Sequence, residues 1–220
     1  MNCQLQRPHI HCRAIPVGRP TVHPPLCQHS CCVTRDGELQ VKVLPGGYYV
    51  GYGTVRIATT LGSCVAVCVR DPRVGVGGLN HFLLPQGGDL GGEWGSSYAT
   101  RYGVHAMEVL INEILKRGGC RSRLEFKLFG GGHVLRDLRS DIGARNVEFV
   151  QRFMHTEGYR TRAEDLGGPW SRRVLYDLVS GRVRVKRMGG DAGRRIERRD
   201  RRLLDDLSAI PQSGGVELFT

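Results

Sequence analysis

No apolar run among the 220 residues approaches the ~20 needed to cross a bilayer. The N-terminus carries no continuous apolar stretch ahead of a small-residue cleavage site, which argues against a secretory leader. Both absences lead to the expectation of a soluble, cytoplasmic protein. Aromatic residues make up only 7% of the chain and are not interleaved with its basic runs, so the usual layout of a nucleic-acid surface is missing. The Gly-rich stretches contain no GxxxxGK[ST] sequence, which excludes the common phosphate-cradling loop. Separated CxxC or HxxxH knuckles are missing too, so the cysteines do not form a recognisable zinc framework. From the chain's own residues, no metal and no organic cofactor is expected.

The residues that are present fall into three zones. Five of the eight cysteines lie in the first 32 residues together with four histidines and a scatter of prolines. Cys27, His29, Cys31 and Cys32 invite a metal reading, but the prolines break any regular element, and residues 1–34 read as an irregular, disordered extension. Residues 35–188 hold the hydrophobic patterning of one domain, a length that suits a single full core. Residues 189–220 read as a basic, flexible tail, within which residues 194–207 could form a charged helix whose apolar patch, Leu203, Leu204 and Leu207, is short. Ten Lys or Arg against three acidic residues between 182 and 202 account for seven of the eleven net positive charges. The body is therefore only mildly basic, and the charge reads as a solvated tail rather than a nucleic-acid site.

Within the body, β-branched and alternating runs predict strands near residues 41–44, 48–53, 55–60, 65–69, 74–84, 124–129, 159–165, 173–178 and 182–186. Ser180-Gly181 marks a hairpin between the last two. Apolar residues at helical spacing predict a helix over 104–117, closed by Gly118-Gly119, and another over 142–157 with Asp141 as its cap. The second helix is expected to bury Val147, Val150, Phe153 and Met154. The Gly-rich stretch 86–97 reads as a loop able to border a groove.

Chemistry concentrates in residues 59–85, TTLGSCVAVCVRDPRVGVGGLNHFLLP. A Leu-Gly-Ser bend precedes Cys64, a turn at Asp71-Pro72-Arg73 folds the chain back, and His81 returns on the next apolar run. A hairpin brings the imidazole near the thiol, the minimal equipment for nucleophilic acyl transfer. Amides at Gly62 and Ser63 would be free to hold an oxyanion. Cys68 sits mid-strand among valines and reads as inert packing. Asn80 should face away from His81's side of the strand. His133, after Gly130-Gly131-Gly132, is a rival base without a partner nearby in sequence. On the residues alone, two packed cysteines with a satisfied histidine are the preferred reading over a catalytic pair.

LGSCVAVCVRD followed by GGLNHFLLP resembles the signature of the chemoreceptor glutamine deamidase family CheD. The resemblance continues through Leu44-Pro45-Gly46-Gly47-Tyr48-Tyr49-Val50, Tyr102-Gly103, Phe129-Gly130-Gly131-Gly132, Ile142-Gly143-Ala144-Arg145-Asn146-Val147 and Asp165-Leu166-Gly167-Gly168. It covers about residues 41–188 in order. It implies an α/β fold of packed mixed β-sheets flanked by helices. It also implies a cysteine-dependent hydrolase (a protein-glutamine glutaminase) that converts glutamine side chains of methyl-accepting chemotaxis receptors to glutamate. Cys64 would be the nucleophile, His81 the base, and a threonine, here Thr59, the third member. Gly62 and Ser63 would position the oxyanion. The receptors would be the substrate partners, with the phosphatase CheC or a CheY-linked regulator as further partners. The competing readings are a non-catalytic adaptor that binds receptors or CheC-like partners, and a cysteine enzyme that cross-links or cleaves instead of deamidating.

Overall fold

The β-branched run after Cys64 forms the central strand of a five-stranded sheet, and the rest of the chain is layered on its two faces. The computed structural model describes residues 29–33, 39–85, 97–135 and 141–209. In chain order the strands are β1 (His29–Val33), β2 (Leu39–Val43), β3 (Tyr48–Tyr52), β4 (Val55–Leu61), β5 (Val65–Asp71), β6 (Val76–Phe82), β7 (Glu125–Gly130), β8 (Thr161–Leu166), β9 (Ser171–Asp177) and β10 (Val183–Met188). The helices are α1 (Tyr98–Lys116), α2 (Ile142–Thr156) and α3 (Gly190–Ser208).

Two mixed sheets result, ordered β1-β2-β4-β9-β10 and β3-β6-β5-β7-β8. The pairs β2/β4 and β7/β8 are parallel and the others antiparallel. Strand alternation splits β5 and β6 between two cores. Val65, Val67, Val69 and Phe82 pack with Met107, Leu110 and Ile114 of α1 and with Phe149, Val150 and Phe153 of α2. Cys64, Ala66, Cys68, Leu79 and Leu83 instead face Val41, Ile57, Leu61, Val174 and Tyr176 of the other sheet. β5 and β6 are buried on both faces along most of their length, so they read as near-continuous apolar runs. The expected α/β architecture of packed mixed sheets with flanking helices is the one observed.

The helices are held as their ends suggest. Ser97 caps α1 by accepting from the Thr100 N–H, and Asp141 caps α2 by accepting from the Ala144 N–H. α1 starts six residues earlier than the periodicity indicated, because Gly103 lets this turn press on Phe149 and Leu84. The buried face of α2 is Ile142, Asn146, Phe149, Val150, Phe153 and Met154. Val147, expected inside, is only half-buried.

Two departures lie at the ends. His29–Val33, within the stretch read as an irregular extension, pairs as an edge strand with β2. Residues 1–28, and with them most of the cysteine-histidine cluster, fall outside the described residues, as does the loop 86–96. The C-terminal tail is not a free charged segment over residues 190–208. It forms α3 and buries Ile196, Asp200, Leu204 and Leu207. These positions recur at helical spacing, and the stripe is easy to overlook because a carboxylate stands in its middle. Leu204 and Leu207 join the core between the sheets. Among the described residues no helix is long and apolar enough to cross a membrane.

Candidate active site

Cys64 immediately precedes β5, at the end of the bend that leaves β4. Three remote segments hold that bend. Gly131 N–H donates to the Cys64 carbonyl at 2.8 Å, and Gly132 N–H to the Gly62 carbonyl at 2.8 Å. Gly130 lies at φ +117°, and a Cβ there would stand 2.2 Å from the Cys64 carbonyl oxygen. Only glycine allows this loop to close on the bend. From the helix side, Asn146 Nδ2 donates to the Ser63 carbonyl at 2.9 Å and to the Ile142 carbonyl at 2.9 Å, while its Oδ1 accepts from Leu84 N–H at 2.8 Å. Arg172, fully buried, donates to the carbonyls of Gly130, Asp165 and Gly167, fixing the glycine loop from behind. Neither Asn146 nor Arg172 stands out as a site residue in the sequence. Their partners lie far away in sequence, so residue type and spacing carry no signal for either.

The register places His81 opposite Ala66. Directly opposed residues share a face, and so do residues two apart on one strand, so His81 and Cys64 both point between the sheets. Thr59 comes from β4 in the other sheet, and its Oγ1 lies 2.8 Å from His81 Nδ1. Thr59 Oγ1 also donates to the Val43 carbonyl at 2.9 Å. A hydroxyl has one proton to give. With that proton committed to Val43, Thr59 accepts from Nδ1–H, and Nε2 keeps its lone pair. Nε2 is buried and has no hydrogen-bond partner among the described residues, which leaves it available to take a proton. Asn80 points the other way, its Nδ2 donating to the Ala106 carbonyl of α1 at 3.0 Å. His133 is half-exposed and pairs with Asp141 at 2.9 Å, away from the thiol.

The expected free amide is not free. Ser63 N–H donates to Asp200 Oδ2 of α3 at 2.8 Å. Asp200 and Ser63 are almost wholly shielded from solvent, as are Cys64 and His81. Arg199 completes the cover, donating to Thr60 Oγ1 and the Thr60 carbonyl at 2.8 Å each and to Asp200 Oδ1 at 2.8 Å. The site is therefore sealed in this state, because residues 190–208, expected to belong to a flexible tail, lie across it. Burial pushes the Cys64 thiol well up, and the Asp200 charge and a hydrogen bond to it push the same way, against the nearby Arg199. Burial also drives His81 well below its usual value, with Arg199 adding to the shift and the Val43 carbonyl opposing it. In this state burial favours the neutral form of both the thiol and the imidazole.

These elements define a two-sheet α/β protein in which an imidazole and a hydroxyl from different sheets meet in the inter-sheet core, with a buried thiol just ahead of the neighbouring strand. The profile described as CheD chemotactic sensory transduction matches residues 83–187. The chain is 49% identical over 190 residues to a probable chemoreceptor glutamine deamidase CheD of Halorhodospira halophila, covering 84% of this chain and 88% of that one. It is 43% identical over 187 residues to the like-named protein of Hahella chejuensis (85% and 88% covered), and 47% over 185 residues to that of Cupriavidus metallidurans (82% and 84% covered). The chain belongs to the CheD family.

Proposed function

We propose that this protein hydrolyses glutamine side chains of methyl-accepting chemotaxis receptors to glutamate, with Cys64 as nucleophile, His81 as base and Thr59 as the residue that orients it. The observation that carries this reading is the Thr59–His81 contact, which holds the imidazole in the Nδ1–H tautomer with Nε2 free on the face that bears Cys64. The names of the relatives supply the substrate.

The cycle follows from these groups. His81 Nε2 accepts the thiol proton and the sulfur adds to the carboxamide carbon, placing negative charge on its oxygen. Ser63 N–H, on the bend beside the thiol, is the donor positioned to steady that oxyanion once it is released from Asp200. The C–N bond breaks, His81 returns the proton to nitrogen, and ammonia leaves a thioester on Cys64. His81 then takes a proton from water, the hydroxide attacks the thioester, and glutamate and the thiol are restored. A cytoplasmic location and a CheC-type or CheY-linked regulator belong to the same reading, supported by the family resemblance. Copurification with either regulator is the check on that partner.

The test is peptide mass mapping of a co-expressed receptor. Each converted glutamine adds about one dalton, whereas cross-linking or cleavage changes mass grossly. His81→Ala is expected to lower the rate by about 10²–10⁴-fold. Unchanged conversion in that variant, or mass changes of the cross-linking or cleavage kind, would overturn the reading.

A further inference from the structure

α3 has a composition unlike the rest of the body and sits where a substrate would have to sit. Six arginines and five acidic residues crowd its nineteen positions, and its only apolar anchors are Ile196, Leu203, Leu204 and Leu207. Yet it delivers a fully buried carboxylate to the nucleophile bend. A Cβ on Gly62 would stand 2.5 Å from Asp200 Oδ2 and 3.2 Å from Ile196. The absence of a side chain at position 62 is thus what allows a planar head group to approach the Ser63 amide. A carboxylate and a carboxamide share that planar shape, and aspartate is glutamine's head group on a shorter stem. The seam between α3 and the body is incomplete. A groove of about 580 Å³ runs along it, lined by Leu44, Pro45, Arg198, Arg202 and Leu203.

We infer that α3 is an intramolecular pseudosubstrate: Asp200 holds the Ser63 amide where the substrate carboxamide oxygen would bind, and turnover requires α3 to lift off the Cys64 bend. This deepens the proposed deamidase reading and rests on it for the identity of the displaced ligand. In the closed state the thiol is shut off from solvent, and its neighbour Asp200 opposes formation of the thiolate. Lifting α3 removes both effects together and frees the oxyanion donor. A receptor segment that carries a glutamine competes with α3 for the same bend.

The test uses the full chain and reads thiol reactivity separately from deamidation. Iodoacetamide labelling is followed by peptide mapping, with the half-buried Cys120 as an internal reference. Leu204→Asp, which loosens α3, is expected to label Cys64 at least tenfold faster than the parent chain, leave Cys120 unchanged, and convert receptor glutamines faster. Hydrogen exchange on the unaltered chain provides a second measurement independent of any variant. The α3 amides are expected to exchange at least tenfold faster than those of β5. Exchange of α3 only together with β5 would make it a permanent part of the fold and overturn the inference. Unaccelerated labelling in folded Leu204→Asp protein would overturn it as well, as would faster labelling without faster conversion in a receptor the parent chain does modify. If labelling accelerates but no form of the protein converts any receptor glutamine, the deamidase reading fails while the sealing role of α3 stands.

Discussion

Cys64 and Cys68 sit four residues apart, on the same side of one strand, in the same inter-sheet core, and both are fully buried. Only their neighbours differ. Cys68 lies among Ala66, Leu79 and Tyr176, and burial alone drives its thiol strongly up, with Lys127 a lesser opposing influence. Cys64 shares its end of the strand with His81, Thr59, Asp200 and Arg199. Burial therefore does not distinguish the two thiols. Under the proposed mechanism the distinction comes from which strand ends and helix side chains surround each one, and from whether some of those groups withdraw.

The sharpest way to test this contrast is to truncate each thiol. Cys64→Ala is expected to reduce receptor deamidation by about a thousandfold or more with little change in melting temperature. Cys68→Ala should leave turnover unchanged and lower stability by about 1 kcal/mol through the small cavity it opens. Receptor mapping and urea titration of both variants decide it, and equal activity in the two would erase the distinction.

A second change removes the bend's support. Asn146→Ala leaves the Ser63 and Ile142 carbonyls and the Leu84 amide without their partner, all in the interior. A loss of about 2–4 kcal/mol is expected, measured by chemical denaturation, and turnover at temperatures well below the melt should fall as the bend loosens. A variant as stable as the parent would show that the bend holds itself.

Thr59→Val makes the Cys64 end more like the Cys68 end. The shape is kept, but Nδ1–H loses its acceptor and the tautomer is no longer fixed. The expected cost is about tenfold in kcat, or about 1.4 kcal/mol, with KM little changed. Restoration by Thr59→Ser would show that the hydroxyl, not the packing, is responsible.

The smallest effect lies at the far end of β5, where the contrast predicts a purely structural role. Burial by itself would raise the Asp71 carboxyl, but ionic hydrogen bonds from Arg123 (2.6 Å at the closer oxygen) and the N–H groups of Cys120 and Arg73 outweigh it and hold the group down at about 2. Because the folded value is depressed, its stabilisation is complete above the unfolded value near 3.8 and is lost as pH falls from there through about 2. The contribution is about 1–2 kcal/mol. Asp71→Asn should flatten that acid limb in urea titrations at stepped pH without altering the activity profile near neutrality.

Much of this was legible in the residues. Strand periodicity, the Asp71-Pro72 turn and the Ser180-Gly181 hairpin located nine of the strands, since each is a local decision of alternation and turn chemistry. The placing of Cys64 and His81 on one face of the sheet followed from hairpin arithmetic, because the register of β5 on β6 is set by a short turn. The resemblance points to Thr59, and the alternation of β4 turns that residue, unlike Thr60, into the core. What stayed hidden depends on partners remote in sequence. Asn146 and Arg172 act on carbonyls of distant loops, which no periodicity records. The helical spacing of α3 was legible, but its docking was not, since an aspartate in a short apolar stripe looks like a break until its acceptor role for Ser63 N–H is known.

The imidazole and the hydroxyl that orients it are carried by different sheets. Under the proposed mechanism, either sheet formed alone would lack a working base, however complete its own ladder. Ammonia release is thus a sensor of sandwich closure. As denaturant loosens the seam between the layers, catalysis is expected to disappear while the strands of each layer still give their circular dichroism.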